Sequence, residues 1–403
     1  MKCRLSVVIP TRNRTETLLH TLRTCVAQEF DDCEFVVSDN DNPPAVRQVV
    51  GRIADRRVKY VRTPRLLAMS DSWDFALAQA SGEYVTFLGA DDGLLPHALP
   101  EIDRLLRMLN VPVLRWESVC YNWPDLPVQD QAAANEMLIP LKQFNYYHAI
   151  HGRSAAALIP EAVNCRTSYA ELPTMYCSAI HHTLVERLRA RTGRVFQSQS
   201  PDVYSGFAFG HLAGTFHSLT APMNVSALSG QSNGVACVYL KGKSPIAEEF
   251  CSLNRGTNAP HPQAPDLLVM SAGIADSYLR ARDALFPEAP SALDRRQLVQ
   301  RCLQEGRAGD AEEWRHVLDS VRRSVADEPA LRAWFEAEYG RLPFAAFAPT
   351  TPQRLKRYGG TYLHLDAADF GVTNVYEAAQ FCEKLLGYKR DGINAHLTPD
   401  AAA

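Results

Sequence analysis

Residues 83–93 read Glu83-Tyr-Val-Thr-Phe-Leu-Gly-Ala-Asp-Asp-Gly93, and this stretch decides the fold. A strand buried on both faces of a parallel sheet is a continuous apolar run, and Tyr84 to Leu88 suit one. Two carboxylates, Asp91 and Asp92, then follow where the chain leaves the sheet, because charge is costly inside it. Ligands of open α/β sheets bind at the carboxyl ends of strands. The stretch therefore predicts a cation or cation–phosphate site, with a solvated turn as the alternative.

The first 116 residues alternate strand-like and helix-like segments, which predicts a doubly wound parallel sheet. The strand candidates are residues 5–9, 34–38, 58–61, 84–88 and 113–116. Polar loops, 10–14 and 39–41, follow the first two of them. Right-handed crossovers bring these loops to the same sheet edge as Asp91 and Asp92, so their side chains are expected to converge on one ligand.

The rest of the chain is predicted in less detail. Residues 155–159 suit a further strand and residues 203–219 a helix. Gly, Ser, Asn and Pro accumulate over 243–265, and the chain beyond has helical patterns. We expect a domain over 1–242, with halves 1–116 and 117–242, a linker over 243–265 and a mainly α-helical C-terminal region over 266–403.

Composition narrows the class of protein. The chain has 403 residues, 46% of them apolar and 22% charged, as in an ordinary globular protein with a sizeable core. Its net charge of -3 creates no global attraction for nucleic acid. Ten cysteines without a Cys-x-x-Cys pair predict free thiols. No apolar run suits a signal peptide or a membrane span, so we expect a cytoplasmic protein, with peripheral contact to the inner face of the membrane left open.

Four ordered motifs resemble the family 2 glycosyltransferases of the GT-A fold. They are residues 6–14 (Ser-Val-Val-Ile-Pro-Thr-Arg-Asn-Arg), the strand that ends at Asp39, residues 74–84, and the Asp91-Asp92 pair. The resemblance is close over roughly the first 110 residues and weaker to about residue 235. It implies a GT-A, Rossmann-like, mostly parallel sheet flanked by helices.

The resemblance also implies a function. Members of the family transfer a sugar from a nucleotide-diphosphate sugar, commonly a UDP-sugar, to an acceptor hydroxyl, usually with inversion. Here the expected setting is bacterial surface polysaccharide or glycolipid synthesis. By this resemblance, the half over 1–116 would bind the nucleotide sugar and the half over 117–242 the acceptor. The substrate-binding residues would be Pro10, Thr11 and Arg12 along the nucleotide, Asp39 with Asn40 at the base, and Asp74. Asp91 and Asp92 would hold Mn2+ or Mg2+.

The sequence departs from the family pattern at two places. Many relatives have Asp-x-Asp-Asp where this chain has Gly89-Ala90-Asp91-Asp92, so the first carboxylate is missing. Asp74 and Trp73 stand where many relatives have Asn and Arg. The donor contacts of the family therefore do not transfer residue for residue.

The chemistry of sugar transfer points to further candidate residues, for stabilising the leaving group and for the general base. A departing nucleoside diphosphate gains negative charge, which Arg12, Arg14 or Arg65 would stabilise. An inverting displacement needs one general base, and Asp202 precedes an apolar helical segment, in the region where relatives place theirs. A helix N-cap is the structural alternative for Asp202, and Glu171 is the second candidate base.

Several alternatives stay open. Ser232 lies in the polar loop 229–234, which either contacts the diphosphate or is a plain surface turn. A nucleotidyltransferase is a rival, although the loop after the first strand lacks the expected glycines. A catalytically silent binder of sugar nucleotides or glycans is another. A homo-oligomer is compatible with the sequence, and the basic segment 354–358 is either a solvated face or a contact for anionic lipid.

Overall fold

A computed structural model of the chain describes residues 2–41, 44–127, 133–145, 148–240, 242–307, 310–343, 361–388, 393 and 395–397. Its strands are β1 (Cys3–Thr11), β2 (Cys33–Asp39), β3 (Val58–Arg62), β4 (Gly82–Phe87), β5 (Gly93–Leu94), β6 (Val113–Asn122), β7 (Glu136–Pro140), β8 (His148–Ser154), β9 (Ser178–His181), β10 (Thr215–Leu228), β11 (Tyr362–Asp366) and β12 (Ala395–Leu397). Its α-helices are α1 (Thr15–Val26), α2 (Ala45–Arg52), α3 (Met69–Leu77), α4 (Ala98–Leu109), α5 (Ala155–Val163), α6 (His182–Thr192), α7 (Pro201–Ala213), α8 (Pro245–Asn254), α9 (Met270–Leu285), α10 (Arg295–Glu305), α11 (Ala311–Ser324), α12 (Pro329–Glu338) and α13 (Val375–Leu386).

The strands form one sheet flanked by helices, which confirms the predicted α/β class. The main path runs β12-β8-β10-β6-β9-β4-β1-β2-β3. The four strands β4, β1, β2 and β3 pair in parallel, as predicted for the N-terminal half. Beyond them β9 pairs antiparallel with both β4 and β6, so the second half of the sheet is mixed.

The sheet separates two apolar cores, and the alternation of side chains along β1 shows why. Val8 packs with α3, α6, α7 and α9 on one face. Val7 and Ile9 pack with α1 and α4 on the other face. Successive residues of a strand point to opposite faces, so a run of apolar residues is required when both faces are covered.

The five strands predicted in the first 116 residues are all present, as β1, β2, β3, β4 and β6. The strand predicted at 155–159 is wrong, because α5 occupies this segment with Ser154 as its N-cap, whose Oγ accepts a hydrogen bond from the Ala157 N–H. The helix predicted over 203–219 ends at Ala213. Gly214 takes a positive φ of 69° there, which turns the chain into β10.

The chain beyond residue 242 packs back onto the N-terminal half. Residues 243–265, predicted as a linker, contain α8, and α9 packs against α7. β11 then pairs with β7, and α13 packs on β6 and β10 through Val375, Ala378 and Cys382. The division at residue 242 stays a prediction. The basic segment 354–358 lies outside the described residues. Within the described part of the chain, we find no helix with the length and hydropathy that a membrane span requires.

Candidate active site

A cleft of about 410 Å3 opens at the carboxyl ends of β1 and β4. The loops after β1, β4 and β10, the start of α7 and residues 246–276 form its walls. Nine of the twelve residues proposed from the sequence line it: Pro10, Thr11, Arg12, Arg14, Asn40, Asp91, Asp92, Asp202 and Ser232. Parallel pairing explains part of this convergence, because Thr11 and Asp39 are register partners at the ends of β1 and β2.

Asp91 accepts three side-chain hydrogen bonds in the cleft. Its Oδ1 accepts a hydrogen bond from Arg14 Nη1 at 2.7 Å. Its Oδ2 accepts hydrogen bonds from the hydroxyls of Ser229 and Ser232, each at 2.7 Å. Arg14 also donates to the Gln231 carbonyl, so Asp91 and Arg14 together tie the loop after β10 to the loops after β1 and β4.

Asp92 accepts hydrogen bonds from backbone N–H groups, whereas those of Asp91 come from side chains. Its Oδ1 accepts the Ala227 N–H at 2.7 Å and its Oδ2 accepts the Gly89 N–H at 3.0 Å, so it fixes the loop against β10. Burial, and then the charge of Asp91, raise the pKa of Asp92 to about 7. Gly89 is required beside it, since a Cβ at residue 89 would lie 2.6 Å from Asp92 Oδ2.

The oxygen donors at Asp91 suit a hard divalent cation. One carboxylate and the hydroxyls of Ser229 and Ser232 converge on one point, and Mg2+ or Mn2+ take oxygen ligands of this kind. No group of three or more His, Cys, Asp or Glu side chains that could hold a metal occurs among the described residues. A cation bound through one or two carboxylates plus substrate phosphates does not need such a group. The residues around Asp91 and Asp92 therefore fit a cation that arrives with a diphosphate.

The three arginines proposed from the sequence have different environments. Arg12 forms a two-point ion pair with Glu249 of α8, at 3.0 Å from Nε and 2.7 Å from Nη2. Arg14 pairs with Asp91, as described above. Arg65 is exposed and lies outside the cleft lining.

Two further predicted residues also lie outside the cleft lining, in structural contacts. Asp39 is fully buried at the end of β2, and its Oδ2 accepts the Tyr60 hydroxyl at 2.6 Å. Asp74 of α3 accepts hydrogen bonds from Arg194 Nε and the Val195 N–H. Asn40 lines the cleft, but its amide also binds the Leu67 backbone through two hydrogen bonds.

Asp202 lies in the first turn of α7, on the cleft side. The N-cap of α7 is Ser200, so the alternative of Asp202 as an N-cap is not what the structure has. Burial raises the pKa of Asp202, and this effect outweighs the hydrogen bonds from backbone N–H groups that lower it. The Tyr169 hydroxyl lies 3.5 Å from Asp202 Oδ2.

Glu171, the second candidate base, is held in ion pairs instead. Its Oε1 lies 3.4 Å from Arg115 Nη2 and its Oε2 lies 3.2 Å from Arg153 Nη2. It does not line the cleft. Of the two carboxylates, only Asp202 lines the cleft.

Sequence reasoning missed two features of the cleft. Tyr176 lies between the two carboxylate centres, and burial raises its pKa well above the ordinary value, with Asp202 and Asp92 adding to the effect. The second feature is the wall formed by residues 246–276, which includes Glu249. Ser244-Pro245, an N-cap serine followed by proline in the first helical turn, is the local signal that marks the start of α8.

Parts of the chain are similar to known proteins. Residues 6–155 match the family model described as glycosyl transferase family 2. Over 99 residues the chain is 37% identical to a Campylobacter jejuni GalNAc(5)-diNAcBac-PP-undecaprenol beta-1,3-glucosyltransferase, which is 24% of this chain and 32% of that protein. It is 26% identical over 88 residues to the Escherichia coli UDP-Glc:alpha-D-GlcNAc-diphosphoundecaprenol beta-1,3-glucosyltransferase WfgD, which is 22% of this chain and 35% of that protein.

The chain thus spans about a third of the length of the curated relatives it matches. Among solved structures, S. aureus TarS 1–349 in complex with UDP is similar, with a TM-score of 0.43 and 14% identity. That similarity covers 80% of this chain and 82% of the TarS chain.

Proposed function

Because residues 6–155 match the model of glycosyl transferase family 2, we propose that this protein transfers a sugar from a nucleotide-diphosphate sugar, with UDP favoured, to an acceptor hydroxyl. The proposed reaction is inverting and depends on a divalent cation. The observation that carries the proposal is the placement of two different carboxylate centres, Asp91 beside Arg14 and Asp202 at the start of α7, in one cleft.

The charges of the cleft support the cation requirement. Its charged lining residues are the cations Arg12 and Arg14 and the carboxylates Asp91, Asp92, Asp202, Glu249, Asp266 and Asp276. A nucleoside diphosphate adds further negative charge to a site where both arginines are already paired with carboxylates. When bound, Mg2+ or Mn2+ would offset this repulsion and stabilise the departing diphosphate as a Lewis acid. Asp91 is the residue we propose to hold it, with Ser229, Ser232 and Asp92 around it.

The protein's own residues would perform the rest of the chemistry. Arg14 would donate to the diphosphate oxygen on which charge develops as the bond to the sugar breaks. The acceptor oxygen forms the new bond to the anomeric carbon, and its proton moves to the Asp202 carboxylate. A raised pKa makes Asp202 a stronger base than an exposed aspartate, provided that it is ionised. One base and one displacement give inversion.

The wall of residues 246–276 indicates the acceptor class. Apolar side chains of this wall face the cleft, namely Ile246, Phe250, Leu253, Leu267 and Leu268. Such a surface suits an acceptor sugar attached to an apolar carrier rather than a free sugar. The printed names of both curated relatives carry undecaprenol-linked diphosphate acceptors. We therefore propose a polyprenyl-diphosphate-linked sugar as acceptor, in bacterial glycolipid or polysaccharide synthesis, with peripheral contact to the membrane that holds it.

Thermal denaturation with nucleotide sugars tests the proposal. Melting curves are recorded with UDP-, GDP-, dTDP- and CMP-sugars, with and without Mn2+. A ligand at 100 times its Kd stabilises the native state by about 2.7 kcal/mol, which raises the melting temperature by several degrees. We expect a UDP-sugar to do so with Mn2+, and Asp91→Asn to lose the shift while the exposed Asp369→Asn keeps it. The proposal fails if no nucleotide sugar changes the melting temperature with Mn2+ present.

A further inference from the structure

Glu249 of α8 forms an ion pair with the guanidinium group of Arg12. The pair uses both oxygens of the carboxylate, with Nε to Oε1 at 3.0 Å and Nη2 to Oε2 at 2.7 Å. The remaining terminal nitrogen, Nη1, donates to the Asp41 carbonyl at 3.1 Å. The side chains are 29% and 35% exposed, so solvent and ligands can reach the pair.

This pair links two parts of the chain that lie far apart in the sequence. Arg12 lies in the loop after β1, inside the segment that matches the family model. Glu249 lies 237 residues further along the chain, outside that segment. The contact is therefore a property of this chain's own C-terminal half.

The geometry of guanidinium recognition makes Glu249 and a phosphate mutually exclusive at the Nε/Nη2 edge of Arg12. A carboxylate or a phosphate binds two parallel N–H groups on one edge of the fork. Glu249 already holds the Nε/Nη2 edge, and the Asp41 carbonyl holds Nη1. A diphosphate can take the Nε/Nη2 edge of Arg12 only if the Glu249 carboxylate leaves.

The packing of α8 allows such a movement. Ala247 belongs to a small apolar cluster with Ala236 and Cys237, separate from the two large cores. Ile246 and Phe250 pack against the same cluster. A helix with few buried apolar contacts has low local stability, so it can shift without disturbing the sheet.

We infer that Glu249 is a positioning residue that sets donor affinity by competing with the donor's phosphates for Arg12. The inference rests on the proposed function, because it needs a nucleoside diphosphate in the cleft. In the ligand-free protein Glu249 holds α8 against the loop after β1. Donor binding exchanges the carboxylate for phosphate oxygens on Arg12 and releases α8 from this contact.

Binding of UDP, with GDP in parallel, tests the inference by calorimetry in the presence of Mn2+. Glu249→Gln keeps the shape of the side chain but removes the competing charge, so we expect it to bind UDP about two- to five-fold more tightly, the range set by a partly exposed ion pair. The KM for the donor should fall by the same factor without a rise in kcat. Glu248→Gln removes a charge from the same helix at an exposed position and should leave the Kd unchanged.

A double-mutant cycle separates competition at Arg12 from a general effect of charge. Arg12→Gln should weaken UDP binding, and Glu249→Gln should have no further effect in that background. Unchanged or weaker UDP binding by Glu249→Gln, or equal effects with and without Arg12, overturns the inference and leaves the proposed function standing. If the unmodified protein binds neither UDP nor GDP, the proposed function fails, and the inference fails with it.

Discussion

Replacement of Asp202 by Asn separates catalysis from stability at one side chain. The change removes the basic carboxylate and keeps nearly the same shape. Asp202 lies in the first turn of α7 and accepts backbone N–H groups, which the Asn carbonyl oxygen can also accept. The local structure should therefore survive the substitution.

The two expected effects have opposite signs. A positioned general base contributes roughly 10²- to 10⁴-fold to the rate, equivalent to about 3–5 kcal/mol of transition-state stabilisation. We expect kcat to fall by that factor. Burial raises the pKa of Asp202, so its ionised form is less favourable in the folded protein than in the unfolded chain. Its contribution to stability is present at acid pH and is lost as the pH rises through the folded pKa. At pH 8 Asp202→Asn should therefore melt at the same temperature as the unmodified protein or higher.

The assay measures initial rates of transfer from a radiolabelled UDP-sugar, chosen by the melting screen, to a polyprenyl-diphosphate-linked sugar, together with melting curves at pH 8. Glu171→Gln is the matched control, because Glu171 is paired with Arg115 and Arg153 and lies outside the cleft lining. It should lose stability and keep kcat. The assignment of the base is refuted if Asp202→Asn retains more than about a tenth of kcat, or if Glu171→Gln is the variant that loses turnover.

Three further predictions concern other parts of the structure. Gly89→Asp, which restores the carboxylate that many family 2 enzymes have, should lower activity rather than raise it, because its Cβ would lie 2.6 Å from Asp92 Oδ2; activity equal to the unmodified enzyme would contradict this. The raised pKa of Asp92 makes its contribution to stability fully present below about pH 4 and lost as the pH rises through about 7. Without a cation, the free energy of unfolding in urea should fall by about 2–3 kcal/mol between pH 5 and pH 8, and Asp92→Asn should remove that part of the slope. Tyr388→Phe removes a buried hydroxyl that lies 2.9 Å from His148 Nε2 and donates to the Gln143 carbonyl, so it should cost about 1–3 kcal/mol in urea denaturation; a cost below about 0.5 kcal/mol would count against this packing.

The parallel half of the fold was predictable because its signals are local. β1, β2 and β4 are short apolar runs bounded by polar loops, and the helices between them have their own apolar faces. The position of β9 between β4 and β6 was not predictable, because it depends on pairing with Tyr84 and Val113, which lie far away in the sequence. The error at residues 155–159 has another cause, since five apolar residues in a row suit a strand or a buried helix equally well.

In the candidate site, the side-chain contacts between residues far apart in the sequence were not predictable either. The sequence predicted that Asp91 and Asp92 lie at a sheet edge, which the structure has. It predicted that both of them hold the cation, but it could not predict that the Asp92 oxygens accept hydrogen bonds from backbone N–H groups. One of these N–H groups belongs to Ala227, which is 135 residues away. No local sequence pattern could therefore predict that Asp91 and Asp92 have different hydrogen-bond partners. Asp74 is a similar case, because its partner Arg194 lies 120 residues along the chain.

The cleft combines residues from two parts of the chain. The segment that matches the family model supplies Arg12, Arg14 and the Asp91–Asp92 pair, which in the proposed function bind the nucleotide-diphosphate donor. Residues 246–276 supply Glu249 and the apolar wall, and they lie outside that segment. A carboxylate paired with Arg12 lowers the affinity of a phosphate for that arginine. Two enzymes with the same motifs can therefore differ in donor affinity through α8 alone. The choice of acceptor should follow the same wall, so exchanging residues 245–276 between relatives would be expected to change acceptor preference while leaving the donor class intact.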